Sequence, residues 1–139
     1  YNLVNRTFEV NLAEACLREE VSLLAYSPLG QGHLTGKYLN GARPAGARMT
    51  LFDRGQRYER PNAEAAFAAY VALAHELGMS PATLAVAYVA SRSFVGSTII
   101  GATTMAQLAE DIAGFEVAIT PEIAAKIDAI HLRHPNPCP

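Results

Sequence analysis

The 139 residues contain no tryptophan and only two cysteines, Cys16 and Cys138. The cysteines lie far apart and show no CxxC spacing, which argues against a disulfide framework and against a zinc site. Charge is scarce as well: 11 Lys and Arg stand against 13 Asp and Glu, 17% of the chain in all. No basic run is long enough to track a phosphate backbone, so nucleic acid is not an expected partner. No apolar stretch approaches the roughly 20 residues that cross a bilayer, and the first residues carry no basic segment followed by an apolar one. These absences together point away from a membrane and toward a reducing, cytoplasmic setting. His33, His75, His131 and His134 lack partners at metal-ligand spacing, and Glu19-Glu20 and Glu110-Asp111 read as helix faces, so no metal site is expected. A serine elbow, a phosphate-binding Walker loop and a GxGxxG turn are all missing.

What remains is half hydrophobic by composition, 50% of residues, enough for one modest domain with a well-buried core. Residues 9–20 place Val10, Leu12, Ala13, Ala15 and Cys16 on one helical stripe. Val21 to Tyr26, VSLLAY, is a short apolar run closed by Ser-Pro and suits a strand buried on both faces. Residues 30–56 are glycine-rich and basic without a period, as in a long functional loop. Asn62 stands where a helix over 63–77 would be capped, with Gly78 at its end, and Ser80-Pro81 opens a second helix with an apolar face through Leu84, Ala85, Tyr88 and Val89. Val95 to Ile100 is a second β-rich run. Helices over 104–112 and 121–132 follow, capped by Thr103 or Thr104 and by Thr120. The alternation predicts an α/β fold with parallel strands, yet two strands do not make a stable parallel sheet.

The stretch AYSPLGQGHLTGKY, residues 25–38, carries more glycine and hydroxyl chemistry than a connection of about four to six residues requires. Such a loop fits a bound ligand. Lys37 and Arg48 are its cations best placed to meet phosphate, with Arg43, Arg54 and Arg57 as competitors. Tyr26, at the end of a strand, can present its ring to a flat ligand or serve as a half-buried core aromatic. Gly101-Ala102-Thr103-Thr104 joins the second strand to a helix whose free N–H groups favour an anion, although an ordinary capped turn has the same spacing.

Taken together, YNLVNR, AYSPLGQGHLTGKYLNG and STIIGATTMAQLAEDI resemble the C-terminal part of the aldo-keto reductases, in particular the bacterial Tas-type NADP(H)-dependent branch. The resemblance implies the C-terminal portion of a TIM-type eight-stranded β/α barrel, with strands seven and eight and their flanking helices in residues 1–139 as a single partial domain, and strands one to six supplied by residues before Tyr1. It implies NADP(H) as cofactor and small aldehydes or ketones as substrates. Tyr26 takes the position that stacks on the nicotinamide; Ser27, Pro28, Leu29 and Gln31 line the pyrophosphate path; Lys37 and Arg48 meet the phosphates. Gly101, Thr103 and Gln107 fall at the 2′-phosphate, and Glu110 and Asp111 at the adenine. Many relatives have lysine and arginine where this chain has Gly101 and Gln107, so a preference for NADPH rests mainly on Arg48. The family's catalytic Asp, Tyr, Lys and His precede this region. The chain alone is therefore expected to be inactive, and oligomeric, molten or proteolytically derived, completed by a partner half or by self-association. Two rival readings are a nucleotide-binding module without catalysis, as in channel-associated β-subunits, and a structural half-barrel remnant.

Overall fold

The computed structural model describes residues 1–52 and 56–139. In chain order the elements are α1 (Leu12–Arg18), β1 (Leu23–Tyr26), α2 (Arg48–Phe52), α3 (Ala63–Glu76), α4 (Pro81–Ala90), β2 (Val95–Ile99), α5 (Met105–Ala113) and α6 (Pro121–Arg133). Short 3-10 turns at Thr7–Glu9, Gly30–Thr35, Leu39–Gly41 and Gly114–Glu116 fill the connections. The region expected as a loop without a period thus contains two 3-10 turns and the short helix α2.

The two strands pair in parallel, as the alternating pattern predicted, with Leu24 beside Ser97, Ala25 beside Thr98 and Tyr26 beside Ile99. The register slips between Leu23 and Leu24. Gly96 occupies that irregularity, and its missing side chain is a necessity: a Cβ there would lie 2.5 Å from the Cβ of Ser22. The expectation that β1 is buried on both faces is not met. Ala25 is buried, whereas Leu24 and Tyr26 are exposed, so the strand alternates. The helices cover only one face of the pair, and among the described residues no layer lies on the other.

The core lies behind that covered face, where Leu84, Tyr88 and Val89 of α4 meet Phe67, Tyr70 and Leu73 of α3, Ile127 and Ile130 of α6, and Leu3 and Val4. Ser80 caps α4 by accepting from the Thr83 N–H at 3.0 Å, and Pro81 occupies the first helical position, as the sequence indicated. The apolar face expected on α4 widens to the whole helix, since residues 82–89 are all buried. Each large aliphatic chain so enclosed contributes about 1.5–3 kcal/mol. Gly78, with φ +70°, ends α3 in the left-handed conformation foreseen for it. Asn62 precedes α3 but makes no side-chain cap, because its own φ of 67° turns the amide away from the first turn.

The expected amphipathic stripe over 9–20 is shorter and barer than its spacing suggested. Helix α1 begins at Leu12, only Ala13 is buried, and Val10, Leu12 and Leu17 are exposed. The N-terminal segment is held instead by a polar cluster. The Arg6 guanidinium donates to both Glu9 oxygens at 2.9 and 2.8 Å and to Asp128 on α6 at 2.7 Å, and the Tyr1 and Tyr88 hydroxyls also donate to Glu9. Removing Glu9 would leave the buried Arg6 guanidinium without its two-oxygen partner, with only the exposed Asp128 to balance it. None of the helices among the described residues is long and apolar enough to cross a membrane.

Candidate cofactor site

Parallel pairing brings the carboxyl ends of β1 and β2 to one edge, and both candidate motifs begin there. Tyr26 ends β1 beside Ile99, and Gly101 follows β2 two residues later. Open α/β sheets and barrels hold ligands at this edge, because the loops that leave it are free to vary while the strands stay fixed. Tyr26 is 55% exposed, so its ring is available rather than packed into the core.

The turn after Tyr26 is wound tightly. Ser27, Gly30, Gln31 and Gly32 all have positive φ, at 56°, 55°, 56° and 95°. For two non-glycine residues this conformation is uncommon, and it persists only where the surroundings enforce it. Asn2 supplies part of that enforcement: its Nδ2 donates to the Ser27 carbonyl at 2.9 Å and to the Tyr58 hydroxyl at 3.2 Å. The Gly30 N–H closes the turn onto Ser27 O at 3.0 Å. Pro28 is buried and Leu29 half-buried, so of the four residues expected along a pyrophosphate path these two brace the turn. The Gln31 Oε1 is buried without a hydrogen-bond partner.

His33 stands behind the turn, buried among the rings of Tyr38, Tyr58 and Phe67 at centroid distances of 4.9, 5.7 and 5.2 Å. Its Nδ1 lies 2.9 Å from Gly30 O, which fixes that nitrogen as the proton-bearing one. Burial holds its pKa below the usual histidine range, so at neutral pH the ring is an uncharged strut.

The cations separate into distinct roles. Lys37 folds back over Gly32, with Nζ 5.3 Å from the Tyr38 ring centroid. A Cβ on Gly32 would meet the Lys37 Cε at 2.8 Å, so that glycine is what lets the lysine lie there. Arg48 is exposed and opens α2. Arg43 is engaged by Glu59 at 2.6 Å, and Arg54 lies outside the described residues. Arg57 reaches back to the platform and donates to the Tyr26 hydroxyl at 3.0 Å.

On the other side of the edge, Gly101, Thr103 and Gln107 are exposed. Thr104 is the cap of α5, accepting from the Gln107 N–H at 3.2 Å, while the Gln107 Oε1 accepts from the Thr103 N–H at 2.9 Å. This reciprocal arrangement resembles a capping box shifted by one residue. It orders the turn at the positive end of the helix. Glu110 is exposed, whereas Asp111 is 2% exposed with Oδ2 lacking a partner, and burial, helped by Glu110, pushes its carboxyl above the usual range. The two acids expected at one ligand group therefore face different surroundings.

The family model described as the aldo/keto reductase family matches residues 1–132. The chain belongs to that family. It is 50% identical over its whole length to Protein tas of Escherichia coli, of which it covers 40%, in agreement with the Tas-type resemblance of its motifs. It is 37% identical over 79% of its length to a probable voltage-gated potassium channel subunit beta of Oryza sativa, covering 35% of that protein. Among solved structures, the glycerol dehydrogenase AKR11B4 from Gluconobacter oxydans superposes with a TM-score of 0.77 at 26% identity, over 98% of this chain and 42% of that one. The chain thus spans about two fifths of the length of these relatives.

Three contributors were not legible in the residue patterns. Asn2 and Tyr58 hold the turn from 56 residues apart, and nothing in their spacing links them. Arg57 ranked only as one competitor among five cations, because the residues it would meet could be known only from the folded loop.

Proposed function

We propose that residues 1–139 are the cofactor-binding part of a cytoplasmic, NADP(H)-dependent aldo-keto reductase that reduces small aldehydes or ketones. In this reading β1 and β2 are strands seven and eight of a TIM-type barrel, and the chain is a single partial domain. The observation that carries it is the exposed Tyr26 ring, brought by strand register to the same edge as the capped N-terminus of α5. A groove of about 450 Å³ runs along β1, lined by Leu23, Leu24, Ala25 and Tyr26 with Phe8 and Leu12. In this reading further chain, from the rest of the barrel or from self-association, covers it.

The residues fit the dinucleotide in kind. Tyr26 offers a flat face for the nicotinamide, which when bound supplies the hydride for carbonyl reduction. On a turn that Pro28 and Leu29 brace, Ser27 and Gln31 form the wall along the pyrophosphate. Lys37 and Arg48 balance its charge, with Gly101, Thr103 and Gln107 toward a 2′-phosphate and Glu110 toward the adenine, whereas Asp111, expected beside it, is buried. None of these residues is assigned the proton-donating step.

Fluorescence titration with NADPH and with NADH tests this directly, since the absence of tryptophan leaves nicotinamide emission clear. Saturable binding, weakened about tenfold or more by Arg48→Ala and by Lys37→Ala, is the expected result, each substitution removing one charge-assisted contact. Absence of binding by the folded protein would refute the cofactor assignment. Turnover is a test for the intact protein rather than for residues 1–139 alone: NADPH oxidation with small aldehydes is expected there, and binding without turnover in the intact protein would favour a nucleotide-binding subunit.

A further inference from the structure

Arg57 is an exposed arginine that does not behave as a free one. Its guanidinium bonds the Tyr26 hydroxyl at 3.0 Å and lies 6.0 Å from the centroid of the Tyr58 ring. Tyr58 is 3% exposed and is itself held by Asn2, which also grips the Ser27 carbonyl. The arginine therefore hangs from the same framework that shapes the Ser27–Gly30 turn. Among the described residues it forms no ion pair, whereas its competitor Arg43 is neutralised by Glu59. Its positive charge is left facing the one exposed aromatic ring at the carboxyl edge.

We propose that Arg57 is a positioning residue with an electrostatic role: it fixes the Tyr26 ring through its hydroxyl and sets a positive charge beside the nicotinamide, so that the site favours the reduced cofactor over the oxidised one. This rests on the cofactor reading given above. The reduced nicotinamide ring is neutral and the oxidised ring is cationic. A nicotinamide stacked on Tyr26 lies roughly 7 Å from a guanidinium bonded to that ring's hydroxyl. Two positive charges at such a separation, in a solvent-exposed setting, discriminate by about two- to five-fold. The sign suits a reductase, which must retain the cofactor before reaction and release it afterwards. The hydrogen bond to Tyr26 and the burial of the neighbouring ring act together, for a free arginine side chain would average its charge over many positions.

The test is the ratio of the NADP⁺ and NADPH dissociation constants, measured at low salt in the full-length protein and in Arg57→Met, Arg57→Lys and Tyr26→Phe. Arg57→Met should lower the ratio about two- to five-fold through tighter NADP⁺ binding, and Arg57→Lys should keep most of it. Tyr26→Phe keeps the ring but removes the acceptor, and should lower the ratio in the same direction because the charge is no longer held. At about 0.5 M salt the difference between the proteins should fade, as screening at this range requires. A general loss of structure would weaken both nucleotides alike and leave the ratio unmoved. NADPH binding with an unchanged ratio in both Arg57→Met and Tyr26→Phe overturns the role of Arg57 and leaves the cofactor site standing. Failure of the unsubstituted protein to bind either nucleotide overturns both.

Discussion

Gly30→Ala separates two costs that a turn at a binding site combines. Gly30 has φ +55° and Gly78 has φ +70°, so alanine at either position enters the left-handed region. That backbone penalty is about 1–2 kcal/mol, offset at both sites by the same loss of freedom in the unfolded chain. The surroundings differ. A Cβ at Gly78 meets nothing within 4 Å, whereas at Gly30 it lies 3.3 and 3.4 Å from two carbons of the Tyr58 ring. Tyr58 has little room to retreat, being 3% exposed, bonded by Asn2 and stacked on His33. Overpacking against a fixed ring adds about 1–3 kcal/mol, so Gly30→Ala should cost about 2–4 kcal/mol where Gly78→Ala costs about 1. Urea unfolding followed by circular dichroism measures both, and the slope of each transition should stay unchanged. In a Tyr58→Leu background the extra cost at Gly30 should disappear, because the coupling belongs to that contact. Equal losses at Gly30 and Gly78, or an extra cost that survives Tyr58→Leu, would refute the reasoning.

Stability should also depend on acid through Glu9. Burial alone would raise its carboxyl, but hydrogen bonds from Arg6 and Tyr1, with the charge of Arg6, outweigh burial and hold it below the usual range. A folded-state pKa below the unfolded value of about 4.3 means that this contribution is present above that pH and is lost as the pH falls through the folded pKa; Glu9→Gln should flatten the acid limb of the stability profile, and an unchanged limb would remove Glu9 from the account. Cys138 is fully buried, and burial pushes its thiol up to about 11, so at pH 8 a thiol reagent should label the half-buried Cys16 and spare Cys138 until the protein unfolds. Equal labelling rates in the native protein would contradict the burial.

The elements that local chemistry encodes were legible in the sequence. Ser80-Pro81, Thr104 and Thr120 each announce a helix start through a hydroxyl that accepts from the first turn, and the structure has all three caps. Tyr26 was legible as an end-of-strand aromatic, but the resemblance rather than any period singled it out. What failed were inferences about surroundings. The apolar stripe of residues 9–20 predicted burial that depends on what lies against it, and VSLLAY could not disclose that Leu24 and Tyr26 have no covering layer while Ala25 does. Asn62 looked like a cap by residue type, yet its left-handed backbone prevents one. Arg57 could not be chosen among five cations, since its bond to Tyr26 spans 31 residues of a region with no periodic signal.

The placement of burial divides the chain into a part that stabilises and a part that binds. Helix α4 is buried all round, and with α3 and α6 it forms a core on the far side of the strands from Tyr26. Arg48 and Arg57 are exposed and Lys37 is half-buried, so exchanging them removes little apolar burial and should alter ligand binding far more than folding. The Ser27–Gly30 turn belongs to both parts. Its carbonyl and its glycine are fixed by Asn2 and Tyr58, residues of the packed interior, while the side chain that precedes it presents the exposed ring. A substitution at Asn2 is thus expected to reach the platform without touching it, because that amide supplies part of what holds Ser27 at positive φ. Precision at the carboxyl edge is therefore inherited from the core through one side-chain amide and one aromatic ring.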